Sequence, residues 1–172
     1  QCPMLEDEED EIAWIETAQT GGDATEGPGD TESGDNLLVL TTINDVNSRV
    51  RYSYDIADIN LSDFTGFSFD SKQVSATDTT NGNASFRLIV DLLDDGTLVK
   101  DITYEPYYNI AAYNALNSAS IVPGAWQNWQ ADSTNGKFWA SGVTTSQGLS
   151  GGGGAYATNF TITQLLAEYP SA

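Results

Sequence analysis

The chain is 172 residues long, 40% hydrophobic and carries 16 Gly, a size and composition that fit one domain with a true core. Its 25 acidic residues face only 6 basic ones, a formal net charge of −19. Six scattered cations cannot displace counterions along a phosphate backbone, so nucleic acid is excluded as a partner, and no apolar run nears the roughly 18 residues of a membrane-spanning helix.

The acidity is uneven. Residues 1–35 hold twelve acids and no base, so residues 36–172 hold 13 acids and 6 bases, 13 − 6 = 7 net negative. Glu6 to Glu11 is an unbroken carboxylate run, which repels itself and reads as a solvated arm over 1–11 ahead of a domain over 12–172. Cys2 is the single cysteine and cannot close an intrachain disulfide, leaving a free thiol or an intermolecular bridge. A start at Gln1-Cys2-Pro3 reads as processed, the expectation for a mature secreted protein.

Ile12-Ala13-Trp14-Ile15 predicts a first strand, and Gly21 to Asp35, rich in Gly, Asp and Thr, predicts a long loop. Leu37 to Thr42 is a short apolar run, and Arg49 to Ile56 alternates strictly between apolar and polar side chains. Phe67-Ser68-Phe69 keeps that period, and Ser85 to Leu92 turns Phe86, Leu88, Val90 and Leu92 to one face. Asp94-Asp95-Gly96 predicts a hairpin into Leu98 to Glu105. Ala125 to Ala131 and Gly136 to Ser141 read as strands joined by a hairpin-like turn at Asp132 to Gly136, and Gly151 to Gly154 as a loop. Thr161 to Gln164 fits a capping box before a short helix stopped by Pro170. Short strands, polar turns and one short C-terminal helix predict an all-β, antiparallel β-sandwich of jelly-roll type.

Catalytic chemistry is thinly supplied. There is no histidine, which removes His-based triads and metal sites, and beyond residue 35 the only glutamates are Glu105 and Glu168. The reading is therefore not an enzyme. Asp91, Asp94, Asp95 and Asp101 around a Gly turn are candidate calcium ligands, although Leu93 and Ile102 occupy positions an EF-hand needs for oxygen ligands. Asn60, Asn83 and Asn159 head N-x-Ser/Thr acceptors for glycosylation. Tyr107, Tyr108, Trp126, Trp129 and Trp139 are candidate ligand-binding aromatics; strand alternation puts Trp126 and Trp129 on opposite faces, so about half of such rings should be buried.

Several pieces in order are similar to a known pattern: Gly27-Pro28, Gly34 and Leu37 to Thr42; Asp58 to Phe64; Glu105-Pro106-Tyr107-Tyr108; Trp126 to Trp129; Gly136 to Trp139; and Leu166, Tyr169, Pro170, Ala172. The chain resembles concanavalin-like, jelly-roll domains of secreted and cell-surface proteins of bacteria and archaea, over roughly Trp14 to the end. The resemblance implies a non-catalytic adhesive or display module, extracellular or on the cell surface. Such domains continue past the Tyr-Pro-x-Ala turn, so an end at Ala172 predicts an open sheet edge completed by another protomer, with Ile12 to Thr17 as donor. Cys2, Trp14 and Ile15 are accordingly candidate assembly residues. The expectation is a self-assembling structural or adhesive protein, a homo-oligomer or filament subunit; the alternative is a carbohydrate-binding module that meets glycans through exposed aromatics.

Overall fold

The computed structural model describes residues 15–20, 22–28, 36–42, 49–53, 59–73, 84–143 and 156–172. Among the described residues strands dominate: nine, all paired antiparallel, with one short helix and three 3-10 turns, an all-β fold. The chain divides into two compact units, residues 1–57 and 58–172, where the sequence reading draws one domain over 12–172.

In the first unit β1 (Ile15–Thr20) pairs with β4 (Arg49–Ser53), with a register shift between Glu16 and Ala18. Inside that pair sits a second one, β2 (Gly22–Pro28) with β3 (Asn36–Thr42), in unbroken register from Gly22↔Thr42 to Pro28↔Asn36. Of the stretch expected as a loop over Gly21 to Asp35, Gly22–Pro28 is therefore a strand. Gly, Asp and Pro are poor strand formers alone, but the apolar β3 beside them supplies a ladder, and pairing overrides local preference. The segment expected as a donor to a neighbour, Ile12 to Thr17, is in its described part a strand of its own chain: Ile15 faces Ser53 and Glu16 faces Tyr52. Cys2 and Trp14 lie outside the described residues.

The second unit repeats the nesting. β5 (Phe67–Lys72) pairs with β8 (Trp126–Ala131), and between them in sequence β6 (Phe86–Asp91) pairs with β7 (Val99–Tyr104). The two-residue β9 (Phe138–Trp139) adds to β7 and is bridged on to Phe160. The turn at Asp132 to Gly136 is thus no hairpin. It carries the chain from β8, on the β5 ladder, to β9, on the β7 ladder, and sequence spacing does not say which sheet a strand joins.

Alternation decides what is buried. Phe67 and Phe69 point in from β5 while Ser68 and Asp70 stay exposed. The Phe67 ring stacks on Phe86 with centroids 4.0 Å apart and meets Tyr104 edge-on at 5.0 Å, so rings from the β5–β8 ladder interleave with those from the β6–β7–β9 sheet. Trp129, Leu92, Ile102, Tyr104 and Phe138 are fully buried in the same core. Burying such side chains contributes about 1.5–3 kcal/mol each. The α1 helix (Ile162–Glu168) closes this core with Ile162 and Leu165, and its predicted capping box is complete, Thr161 and Gln164 bonding reciprocally.

Candidate functional site

Three surfaces of the second unit collect the residues singled out by sequence. The first is the tip of the β6–β7 hairpin. Ile89 and Val99, diagonal neighbours on the face away from the core, are 66% and 52% exposed, and Leu93 in the turn is 45% exposed. An ion pair of 3.5 Å between Arg87 and Asp101 borders this apolar patch. The turn is held from within: Asp91 accepts from the backbone N–H groups of Leu93 and Gly96, and Asp95 accepts from the hydroxyl and the N–H of Thr97 at 2.6 and 2.8 Å. Those Thr97 bonds hold the Asp95 carboxyl below its usual value. Asp94 and Gly96 take φ of 54° and 78°, left-handed conformations that Asp and Gly tolerate best. The candidate calcium ligands Asp91 and Asp95 thus already serve as turn acceptors and Asp101 as a partner of Arg87, and among the described residues no group of three or more His, Cys, Asp or Glu is placed to hold a metal ion.

The second surface is the outer face of the β6–β7–β9 sheet beyond that patch. Arg87, Thr103 and Trp139 stand in cross-strand register, with Glu105 two residues on from Thr103 and Asn159 next to the bridged Phe160. Thr103 is 1% exposed and Asn159 fully buried, yet neither the Thr103 hydroxyl, the Trp139 indole N–H nor the Asn159 carboxamide finds a hydrogen-bond partner among the described residues. Burial pushes the Glu105 carboxyl up, opposed by the Trp139 indole and by Arg87; the indole approaches it without completing a hydrogen bond of ordinary geometry. Tyr108 is raised by burial and then by Glu105 and Tyr107, whose ring meets it edge-on at 5.1 Å.

The third is the outward face of the β5–β8 ladder, which presents Trp126, 42% exposed, together with Asn128 and Gln130. Trp129, on the opposite face of the same strand, is fully buried, and its indole N–H donates to Ser71 Oγ at 3.1 Å. It is a core residue, not a ligand platform. Of the aromatic candidates, Tyr107 is exposed and Tyr108 and Trp139 half-buried about Glu105, while the exposed Trp126 stands apart on the β5–β8 ladder. Asn60 is exposed, whereas Asn159 is enclosed, so a glycan on its Nδ2 has no room in the folded chain. Asn83 lies outside the described residues.

Sequence reasoning overlooked three asparagines that build this region. Asn109 Nδ2 donates to the carbonyls of Glu105 and Lys137, both at 2.9 Å, and its Oδ1 accepts from Lys137 N–H at 2.7 Å. Asn114 Nδ2 donates to the Gln130 carbonyl, and Asn117 Oδ1 accepts from the Gln130 N–H at 2.8 Å. Asn117 also donates to the Tyr104 hydroxyl at 2.7 Å, which itself donates to Gln130 O. Asn114 and Asn117 thus satisfy backbone groups of Gln130 on β8, a device that closes a sheet edge, while Asn109 ties the end of β7 to the start of β9.

The chain matches no protein-family model, no curated protein and no solved structure.

Proposed function

We propose that the protein is a non-catalytic structural or adhesive component of the extracellular surface that associates with copies of itself, built on a jelly-roll-type β-sandwich. One observation carries this reading, the exposed aliphatic patch of Ile89, Leu93 and Val99 on the hairpin tip. Aliphatic side chains clustered on the water-facing side of a hairpin are costly unless another surface covers them. A patch of this kind, bordered by an ion pair, suits a second hairpin tip related by two-fold symmetry, since a self-complementary contact needs only one patch. Burying each such side chain stabilises association by about 1.5–3 kcal/mol before the cost of lost rotational and translational freedom. The intrachain pairing of β1 with β4 leaves strand donation out of this reading.

Light scattering over a concentration series tests it. The wild-type chain should form dimers or larger species, and Ile89→Asp with Val99→Asp should return it to monomer with a circular dichroism spectrum that is still that of the folded chain, although the new carboxylates face Asp101 and Asp91 and lower the melting temperature somewhat. A wild-type monomer at high concentration, or a double variant that assembles as before, sinks the proposal. Calcium has its own test: melts with calcium and with chelator that diverge in the wild type but superimpose in Asp94→Asn/Asp101→Asn assign an ion to the acidic hairpin tip, and wild-type curves that superimpose remove it.

A further inference from the structure

The outward face of the β5–β8 ladder carries chemistry unlike that of the apolar tip. Its cross-strand pairs are Ser68↔Gln130, Asp70↔Asn128 and Lys72↔Trp126. Gln130 Nε2 donates to Asn128 Oδ1, and Asn128 Nδ2 donates to Asp70 Oδ1 at 2.9 Å. This relay fixes both amides in one orientation. It also leaves the second N–H of each amide, Gln130 Oε1 and Asp70 Oδ2 outside the relay on exposed residues, donors and acceptors along one strip. At one end stands the exposed Trp126 indole; at the other the strip runs into an open groove of about 480 Å³ lined by Thr65, Ser68, Leu116, Gln130 and Asp132. Gly66 shapes the groove floor, because a Cβ there would sit 2.5 Å from Ala131 O at a φ of 137°.

We propose that this strip and groove bind an uncharged oligosaccharide chain, a site independent of the self-association surface. Sugar hydroxyls both donate and accept, which matches paired amides and a carboxylate held in place beforehand, and preorganised partners lose little entropy on binding. The indole supplies an apolar plane for the C–H face of a sugar ring, and Leu116, 43% exposed, a second apolar contact at the far end. Asp70 and Asp132 outweigh Lys72, the cation paired with Trp126, and with a net charge of −19 they disfavour anionic ligands. A dry protein interface is disfavoured too, because the two large apolar groups stand at opposite ends with polar side chains between them, whereas such interfaces are apolar at the centre. From Trp126 to Gln130 the strip spans about 13 Å at 3.3–3.4 Å per residue, so it takes several sugar units and not one.

Isothermal calorimetry with cellohexaose, laminarihexaose and β-1,4-mannohexaose, with glucose and polygalacturonate alongside, tests the proposal. At least one neutral hexaose should bind, and glucose and polygalacturonate should not. Trp126→Ala should weaken that binding at least tenfold and Asn128→Ala severalfold, while Trp139→Phe and the Ile89→Asp/Val99→Asp double variant keep it. Binding by none of the hexaoses, preference for the anionic polymer, or wild-type affinity in both Trp126→Ala and Asn128→Ala would overturn it. Retained binding in the monomeric double variant separates this site from the self-association reading, so either can fail alone.

Discussion

Asn109 is fully buried and bonds three backbone groups from two separate segments, a larger share of the local structure than any charged residue nearby holds. Truncation to Ala would strand the Lys137 carbonyl and N–H away from water, each costing about 1–3 kcal/mol if nothing replaces the amide, while the Glu105 carbonyl keeps its bond from the Tyr108 N–H. Asn109→Ala should therefore lower stability by about 2–5 kcal/mol, read from urea unfolding, while Tyr107→Ala, at an exposed position, changes it little. Thr103 makes the opposite case. Its buried hydroxyl has no partner among the described residues, so Thr103→Val removes a desolvated polar atom at almost constant volume and should raise stability by about 1 kcal/mol. A fall in melting temperature would show that a water satisfies the hydroxyl. The division of Trp126 from Trp129 was legible in sequence because a strand's period of two assigns faces. The asparagines were not legible, since a side chain that bonds a carbonyl 16 or 28 residues away leaves no periodic trace.

Among the elements, the turn that follows β8 is organised by one carboxylate. Asp132 accepts from the Asn135 side chain and N–H and from the N–H and hydroxyl of Thr134, which holds its carboxyl at about 2, against an ordinary value of 3.8. A depressed native value means that the stabilisation is complete above the unfolded value and is lost as pH falls from about 4 towards 2. Because the carboxyl lies at the surface, where solvent screens it, the gain is well below the full linkage value. Melting temperature should fall over that window in the wild type and fall less in Asp132→Ala, measured by circular dichroism from pH 5 to pH 2. The β6–β7 hairpin and the α1 capping box were both readable, because Asp-Asp-Gly and Thr-x-x-Gln carry their geometry locally. The turn at Asp132 looked equally like a hairpin: composition marks a reversal of direction, while the destination of the next strand depends on a partner, β7, that ends 34 residues before it, 138 − 104 = 34.

For the whole molecule, the two units set the expectation. Every described strand finds its partner inside its own unit, and the buried residues described around Trp129, Tyr104 and Phe138 all follow Asp58. Residues 58–172 produced by themselves should fold, with a single cooperative urea transition and native-like near-ultraviolet dichroism. A molten, non-cooperative fragment would show that the first unit is required. Composition gave no warning of the division, since neither a proline-rich linker nor a charge break falls near Ala57.

The nested pairing described for each unit also prescribes an order of events. Ser71 and Trp129 meet although they are 58 residues apart in sequence, and closing so long a loop from an unfolded chain is entropically slow. Once β6 and β7 have zipped through their local turn, much of that distance is already folded away, and β5 and β8 need close only the remainder. The hairpin tip thus becomes the place where folding begins. Substitutions there that weaken the Asp91 and Asp95 turn bonds should slow refolding, whereas those along β5 and β8 should chiefly hasten unfolding.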